Sequence, residues 1–117
     1  MGVKAGPGLE VHQNVDVDES EDAVKTSEGI LYGYHLFNDS AGSIFVKLYD
    51  ATVATVVVGT TTPKMTLGLP AGSGAVVHIP EGIRFRTAIT IAATTGPTVA
   101  DTGAPGANEC QATLWFD

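Results

Sequence analysis

Short runs of β-branched and aromatic residues recur along this chain roughly every eight to twelve residues, and Gly, Pro, Asn, Asp or Ser separates each run from the next. That punctuation allows strands and turns and leaves no stretch long enough for an amphipathic helix with caps. "ILYGYHLF" stops at the turn-forming "NDSAGS". "IFVKLYD" alternates, with Ile44, Val46 and Leu48 on one side and Phe45, Lys47 and Tyr49 on the other. "TVATVVV" is a continuous apolar run halted by "GTTTP", and "KMTLGL" and "AVVHIP" follow as shorter strand-like pieces. "GIRFRTAITIAA" puts Ile83, Phe85, Thr87, Ile89 and Ile91 on one face and Arg84 and Arg86 on the other. "ECQATLWF" alternates Ala112, Leu114 and Phe116 with Thr113 and Trp115. The pattern predicts strands over 30–37, 43–50, 65–69, 75–79, 84–92 and 110–116. The prolines at 7, 63, 70, 80, 97 and 105 all fall at the proposed boundaries, where a missing N–H does no harm. The fold expected is all-β: a single antiparallel β-sandwich, jelly-roll-like or Ig-like, with its alternating residues buried between two sheets.

A chain of 117 residues is the size of one domain. With hydrophobic residues at 44% against 16% charged, it has the means to bury one core. The first 29 residues differ from the rest: Asp16, Asp18, Glu19, Glu21 and Asp22 crowd together among few bulky apolar groups. They are expected to form an extended acidic arm over 1–29, mobile in the free protein, ahead of a sandwich domain over 30–117. Within the arm, Leu9, Val11, Val15 and Val17 could form a short strand, added to or lying along a neighbour. The Gly- and Pro-rich segment from Thr94 to Ala107 is expected to be a long loop that orders poorly by itself.

The net charge of −7, with basic residues scattered from Lys4 to Arg86, argues against nucleic acid and against an anionic membrane surface. No window has transmembrane length, and "MGVKAGPGLEVHQNVDVDESED" lacks a signal-peptide apolar run, so synthesis in a cytoplasm is expected. His12, His35 and His78 never occur at metal-ligand spacing, and the two that lie in strands, His35 and His78, are expected to be structural. "DVDESED" lacks the glycine and final glutamate of an EF-hand loop in register, which leaves a solvated acidic face as the default and a loose surface calcium site as a minor reading. Cys110, the only cysteine, forms no internal disulfide and is expected to be a small buried hydrophobe. "AGSGA" has the wrong spacing for a nucleophile elbow. No catalytic residue, cofactor or metal site is expected.

The order "FVKLYDA", "GTTTP" before a short strand closed by "LPAG", and "GIRFRTAITIAATTG" resembles a group of small accessory virion proteins of tailed bacteriophages. The resemblance covers about the last three-quarters of the chain and rests on turn and strand chemistry. It implies a non-enzymatic structural protein on the outer surface of a virion, of the head decoration or cement type, whose partners are the major capsid protein or other virion proteins. It also implies a homo-oligomer, with a trimer natural at capsid symmetry points. Phe45, Tyr49 and Trp115 are the expected interface residues of the sandwich, beside Leu9, Val11, Val15 and Val17 of the arm. The alternative is a tail, neck or fibre component acting as a receptor- or carbohydrate-binding module, with Tyr32, Tyr34 and Trp115 as an aromatic platform.

Overall fold

Alternation along the strands decides which side chains meet. Ile44, Val46 and Leu48 turn inward from one sheet and Leu36, Ala112, Leu114 and Phe116 from the other, all at most 6% exposed. The computed structural model describes residues 8–117 and contains, among them, strands and turns but no helix. The strands are β1 (Glu10–Asn14), β2 (Asp22–Lys25), β3 (Gly29–Asn38), β4 (Ile44–Tyr49), β5 (Met65–Leu69), β6 (Gly74–Phe85), β7 (Ile89–Thr94) and β8 (Cys110–Phe116).

Two four-stranded sheets result, ordered β1-β8-β3-β6 and β2-β7-β4-β5, and every pairing within them is antiparallel. For brevity they are the first and second sheet. The pairs β1–β8, β2–β7, β3–β6 and β4–β5 are those of one long hairpin folded over on itself. The additional pairs β3–β8 and β4–β7 close that hairpin into two layers. This is the jelly-roll connection, which separates the two alternatives left open by strand spacing alone.

The boundary expected at residue 30 does not hold. Residues 10–14 pair with β8 from Phe116 to Ala112, and residues 22–25 pair with β7. Val17 is 1% exposed and Val24 8%, both packed in the core between the sheets. The N-terminal segment is therefore two edge strands joined by an acidic crossover. Its few apolar residues suffice because an edge strand needs only one or two inward anchors. Residues 1–7 of the expected arm lie outside the described residues.

Two further expectations change. Pro80 does not end a strand: β6 runs twelve residues through it, because β6 is an edge strand and a missing N–H there breaks no ladder. The register slips between Leu31 and Gly33, and the extra β6 residues around Pro80 and Gly82 (φ 76°) form the bulge. The run expected as one strand over 84–92 is divided between the sheets, Phe85 closing β6 and Ile89 opening β7.

Asp50 holds the turn between them. Its carboxylate accepts the backbone N–H groups of Arg86 (3.0 Å), Thr87 (2.8 Å) and Ala88 (3.4 Å). Burial pushes its pKa up, but the three N–H donors and the nearby Lys64 charge outweigh that and hold it below the usual carboxylate range. A lowered folded-state pKa contributes stability above the unfolded value, lost as pH falls through the folded one. Asp50→Asn should therefore cost about 1–2 kcal/mol at neutral pH. The gap to wild type should narrow below about pH 4. Urea titrations of both proteins across pH check this, and a gap independent of pH would count against it.

At the opposite end Asn38, fully buried, joins the layers. Its Nδ2 donates to the carbonyls of Gly42 (2.8 Å), Leu69 (2.9 Å) and Pro70 (3.2 Å), and its Oδ1 accepts the Ser40 hydroxyl (2.7 Å).

Candidate functional site

The two sheets differ in what covers their outer faces. On the second sheet, Phe45, Lys47 and Tyr49 point away from the core, as alternation predicts, yet Lys47 and Tyr49 are at most 1% exposed. The cover is the chain's own loops. The apolar run 52–58, strand-like in sequence, folds as turns in which the Thr52 carbonyl accepts the N–H groups of Thr55 and Val56. That turn drops Val56 onto Tyr49 and Ala92 as a small second core. The Thr90 hydroxyl donates to the Ala51 carbonyl (2.7 Å), pinning the same loop.

The Gly- and Pro-rich loop covers the rest. Lys47 Nζ donates to the Thr98 carbonyl (2.7 Å). Asp101 in turn accepts the Thr98 N–H and hydroxyl, which hold its carboxyl below the ordinary range. Burial lowers the Lys47 pKa, opposed by the Asp101 charge. A segment expected to order poorly is thus tied down by a buried lysine, a partner visible only once β4 is in place.

Among the described residues, nothing covers the outer face of the first sheet in this way. Its strands align residues in rows: Val11, Trp115, Gly33 and His78 in one, and Gln13, Thr113, His35 and Val76 in the next. Gln111, Phe37 and Gly74 form the third, with Val15 just beyond the end of β1. None of these is Asp, Glu, Lys or Arg, in a chain of net charge −7; charge on this side begins only beyond the slip, where Arg84 stands opposite Ile30 and pairs with Glu28 at 3.6 Å. Val11, Val15 and Val76 are 64%, 52% and 61% exposed. Trp115 lies over Gly33, where a Cβ would collide with the indole, and its ring is tilted against His78 at 5.4 Å. Between β1, β8 and β3 the face dips into a shallow pocket of about 100 Å³, lined by Gln13, Val15, His35, Phe37, Gln111 and Thr113 among others.

The residues named from sequence fall on both sides of this division. Val11, Val15 and Trp115 belong to the open face. Leu9, 42% exposed, precedes β1. Phe45 is half-buried on the second sheet against Gly68. Val17 and Tyr49, each 1% exposed, are corrected: one is core and the other lies under Val56. Tyr34 faces the core at 7% exposure, so the platform of Tyr32, Tyr34 and Trp115 does not assemble. Tyr32 sits half-buried at the bulge beside Gly82. Sequence reasoning missed His35, Phe37, Val76 and His78 as surface residues. Their shared face was legible only from strand register.

The acidic crossover is used internally. Asp22 Oδ2 lies 3.1 Å from His12 Nε2 and accepts Asn14 Nδ2 at 3.0 Å, linking β1 to β2 across the sandwich edge. Asp16 accepts the Asn108 N–H (2.9 Å) and Asp18 that of Ser20 (2.9 Å). Among the described residues, no three His, Cys, Asp or Glu side chains gather as metal ligands. Cys110 is buried and desolvation pushes its thiol up to about 11, so little thiolate forms at neutral pH. A thiol-reactive dye should label the folded protein far more slowly than the urea-unfolded one. Equal labelling rates would place Cys110 at the surface. Comparison with protein families, with curated proteins and with solved structures finds no match.

Proposed function

We propose that this chain is a non-enzymatic structural protein of a phage virion, a decoration or cement protein that stabilises the head by bridging capsid subunits. The observation that carries this reading is the bare face of the first sheet. An uncharged surface spanning four strands, on an acidic chain whose other sheet covers itself, has the composition of a surface meant to be covered by protein. The resemblance of "VKLYD", "GTTTP" and "GIRFRTAITIAATTG" to accessory virion proteins supplies the setting. The jelly roll is compatible with it and does not by itself assign it, since the same architecture carries lectin and enzyme domains. The partners are the major capsid protein and further copies of this chain, and the place is the outer capsid surface, where a negative chain keeps clear of packaged DNA.

The test is to incubate the purified protein with undecorated heads of the phage that encodes it. Bound protein and the temperature at which the heads release DNA are then measured. Saturable binding and a higher release temperature are expected. Heads that bind none of the protein, with no change in release temperature, would overturn the reading. The pocket beside Phe37, with the amide and hydroxyl groups of Gln13, Gln111 and Thr113 in its lining, favours the alternative of a tail or fibre module that binds a receptor or carbohydrate. Density for the protein at the tail rather than the head in a particle map would select that alternative.

A further inference from the structure

We infer that the uncharged face of the first sheet is covered by the same face of a second copy of this chain, the two related by a twofold axis. This rests on taking that face as a docking surface, and it names the occupant.

Charge placement argues for it. The carboxylates of Asp16, Asp18, Glu19 and Glu21 lie in the crossover between β1 and β2. The Asn108 N–H on Asp16 and the Asp39 N–H on the Glu109 carbonyl bring Asp39 and Glu109 to the same end. Copies meeting by that end would set carboxylate against carboxylate. A basic partner would be drawn to that end and would gain nothing on the uncharged rows. The occupant that suits those rows is an uncharged, gently twisted sheet face of similar extent, and a second copy presents one.

The chemistry of the face is also self-complementary. Val11 and Val76 on its flanks and Trp115 and Phe37 nearer its centre offer apolar area. Gln13, Gln111 and Thr113 each carry both donor and acceptor capacity, so any of them can hydrogen-bond another of the set across the twofold axis, each such contact occurring twice. Two sheets packed face to face stand about 10 Å apart with interdigitated side chains. Trp115 folded down over Gly33 keeps its ring from blocking that approach. A flat face of this kind closes as a pair, which differs from the threefold cluster expected from the resemblance.

Extent sets the strength. Three rows across four strands cover roughly 400 Å² per copy from ordinary strand spacing and rise. That is about half of what a standard stable interface buries on each partner. The pair should therefore form in the micromolar range or above and dissociate on dilution.

The experiment is sedimentation equilibrium of the full chain from low to high micromolar concentration, with emission from Trp115, the only tryptophan, followed in parallel. Wild type should pass from monomer to dimer, with emission shifting to the blue as the half-exposed indole is covered. Val76→Asp, at an exposed position of an edge strand, places a charge in the apposed face of both copies. It should weaken pairing about a hundredfold or more. Thr66→Asp, exposed on the second sheet, should pair like wild type. A wild type monomeric at every concentration overturns the inference, and so does equal weakening by the two variants. If wild type stays monomeric while Val76→Asp alone loses binding to heads, the face belongs to the capsid and this inference fails while the proposed function stands. Pairing without any binding to heads is the converse.

Discussion

A chain beginning at residue 30 should fail to fold, although its sequence from Ile30 onward contains every strong strand signal. Removing residues 1–29 deletes β1 and β2, and with them Val17 and Val24 from the core. Each buried valine contributes about 1.5–3 kcal/mol. Two of them already approach the lower part of the 5–15 kcal/mol range typical for the stability of a whole domain. The ladders lost from β8 and β7 add to this and leave both strands as unpaired hydrophobic edges, prone to associate. The truncated chain is expected to lack a cooperative urea transition and to aggregate, whereas deleting only residues 1–7 should leave all the described strands in place. A chain starting at residue 30 with the midpoint of the full-length protein would show that β1 and β2 are ornaments on an independent domain.

The second large effect is expected at Asn38, where a nearly isosteric change inverts the chemistry. Asn38→Asp removes the Nδ2 that donates to three carbonyls, among them Leu69 O in the interior, and puts an acceptor in front of them. The Gly42 and Pro70 carbonyls keep donors from Ser40 and Ser73, but Leu69 O loses its buried side-chain donor at about 1–3 kcal/mol, and a desolvated carboxylate facing three carbonyl oxygens adds more, so a loss of at least about 3 kcal/mol is expected at neutral pH. The surrounding oxygens and the burial both disfavour the ionised form, so the introduced acid should titrate above its unfolded value of about 3.9. For an acid raised in the folded state the linkage runs opposite to that of Asp50. The folded protein holds the proton longer, and stability falls as pH rises between the two values. Below about pH 4 the protonated acid can again donate, and much of the loss should be regained. Denaturant titrations over pH would show this, and a penalty that grows on acidification would mean the carbonyls are not what Asn38 serves.

Sequence alternation located β5 and β8 and came within a residue or two of β3 and β4, because those strands carry both an apolar period and turn residues at their ends. It did not reveal β2. "DAVK" offers one inward valine among charged neighbours, a signal weaker than that of many loops, and it becomes a strand only because β7 presents a free edge. The same limit hid the roof of the second sheet. "TVATVVV" is as apolar as a core strand, but Thr52 closes a turn and Val56 finds Tyr49, a tertiary partner that sequence cannot display. The open face was half legible. Trp115 and Val11 were named from their chemistry. Their alignment with His78, and that of His35 with Val76, depends on the slip at Tyr32, where the register shifts against both neighbouring strands.

The nested pairing of the strands has a consequence for synthesis. Apart from β4 and β5, no strand pairs with the one next to it in the chain, and β8 lies between β1 and β3. Until β8 has left the ribosome, the first sheet exists only as a separate β1 and a β3–β6 pair, with no strand to join them. Such non-local closure places folding at the slow, millisecond-to-second end for a small domain, which stopped-flow refolding can measure. It also makes the fold a check on its own completeness. A nascent chain cut short before Cys110 cannot assemble the first sheet, so an unfinished copy would remain an open, incompletely paired chain, exposed to proteolysis instead of passing as a folded molecule.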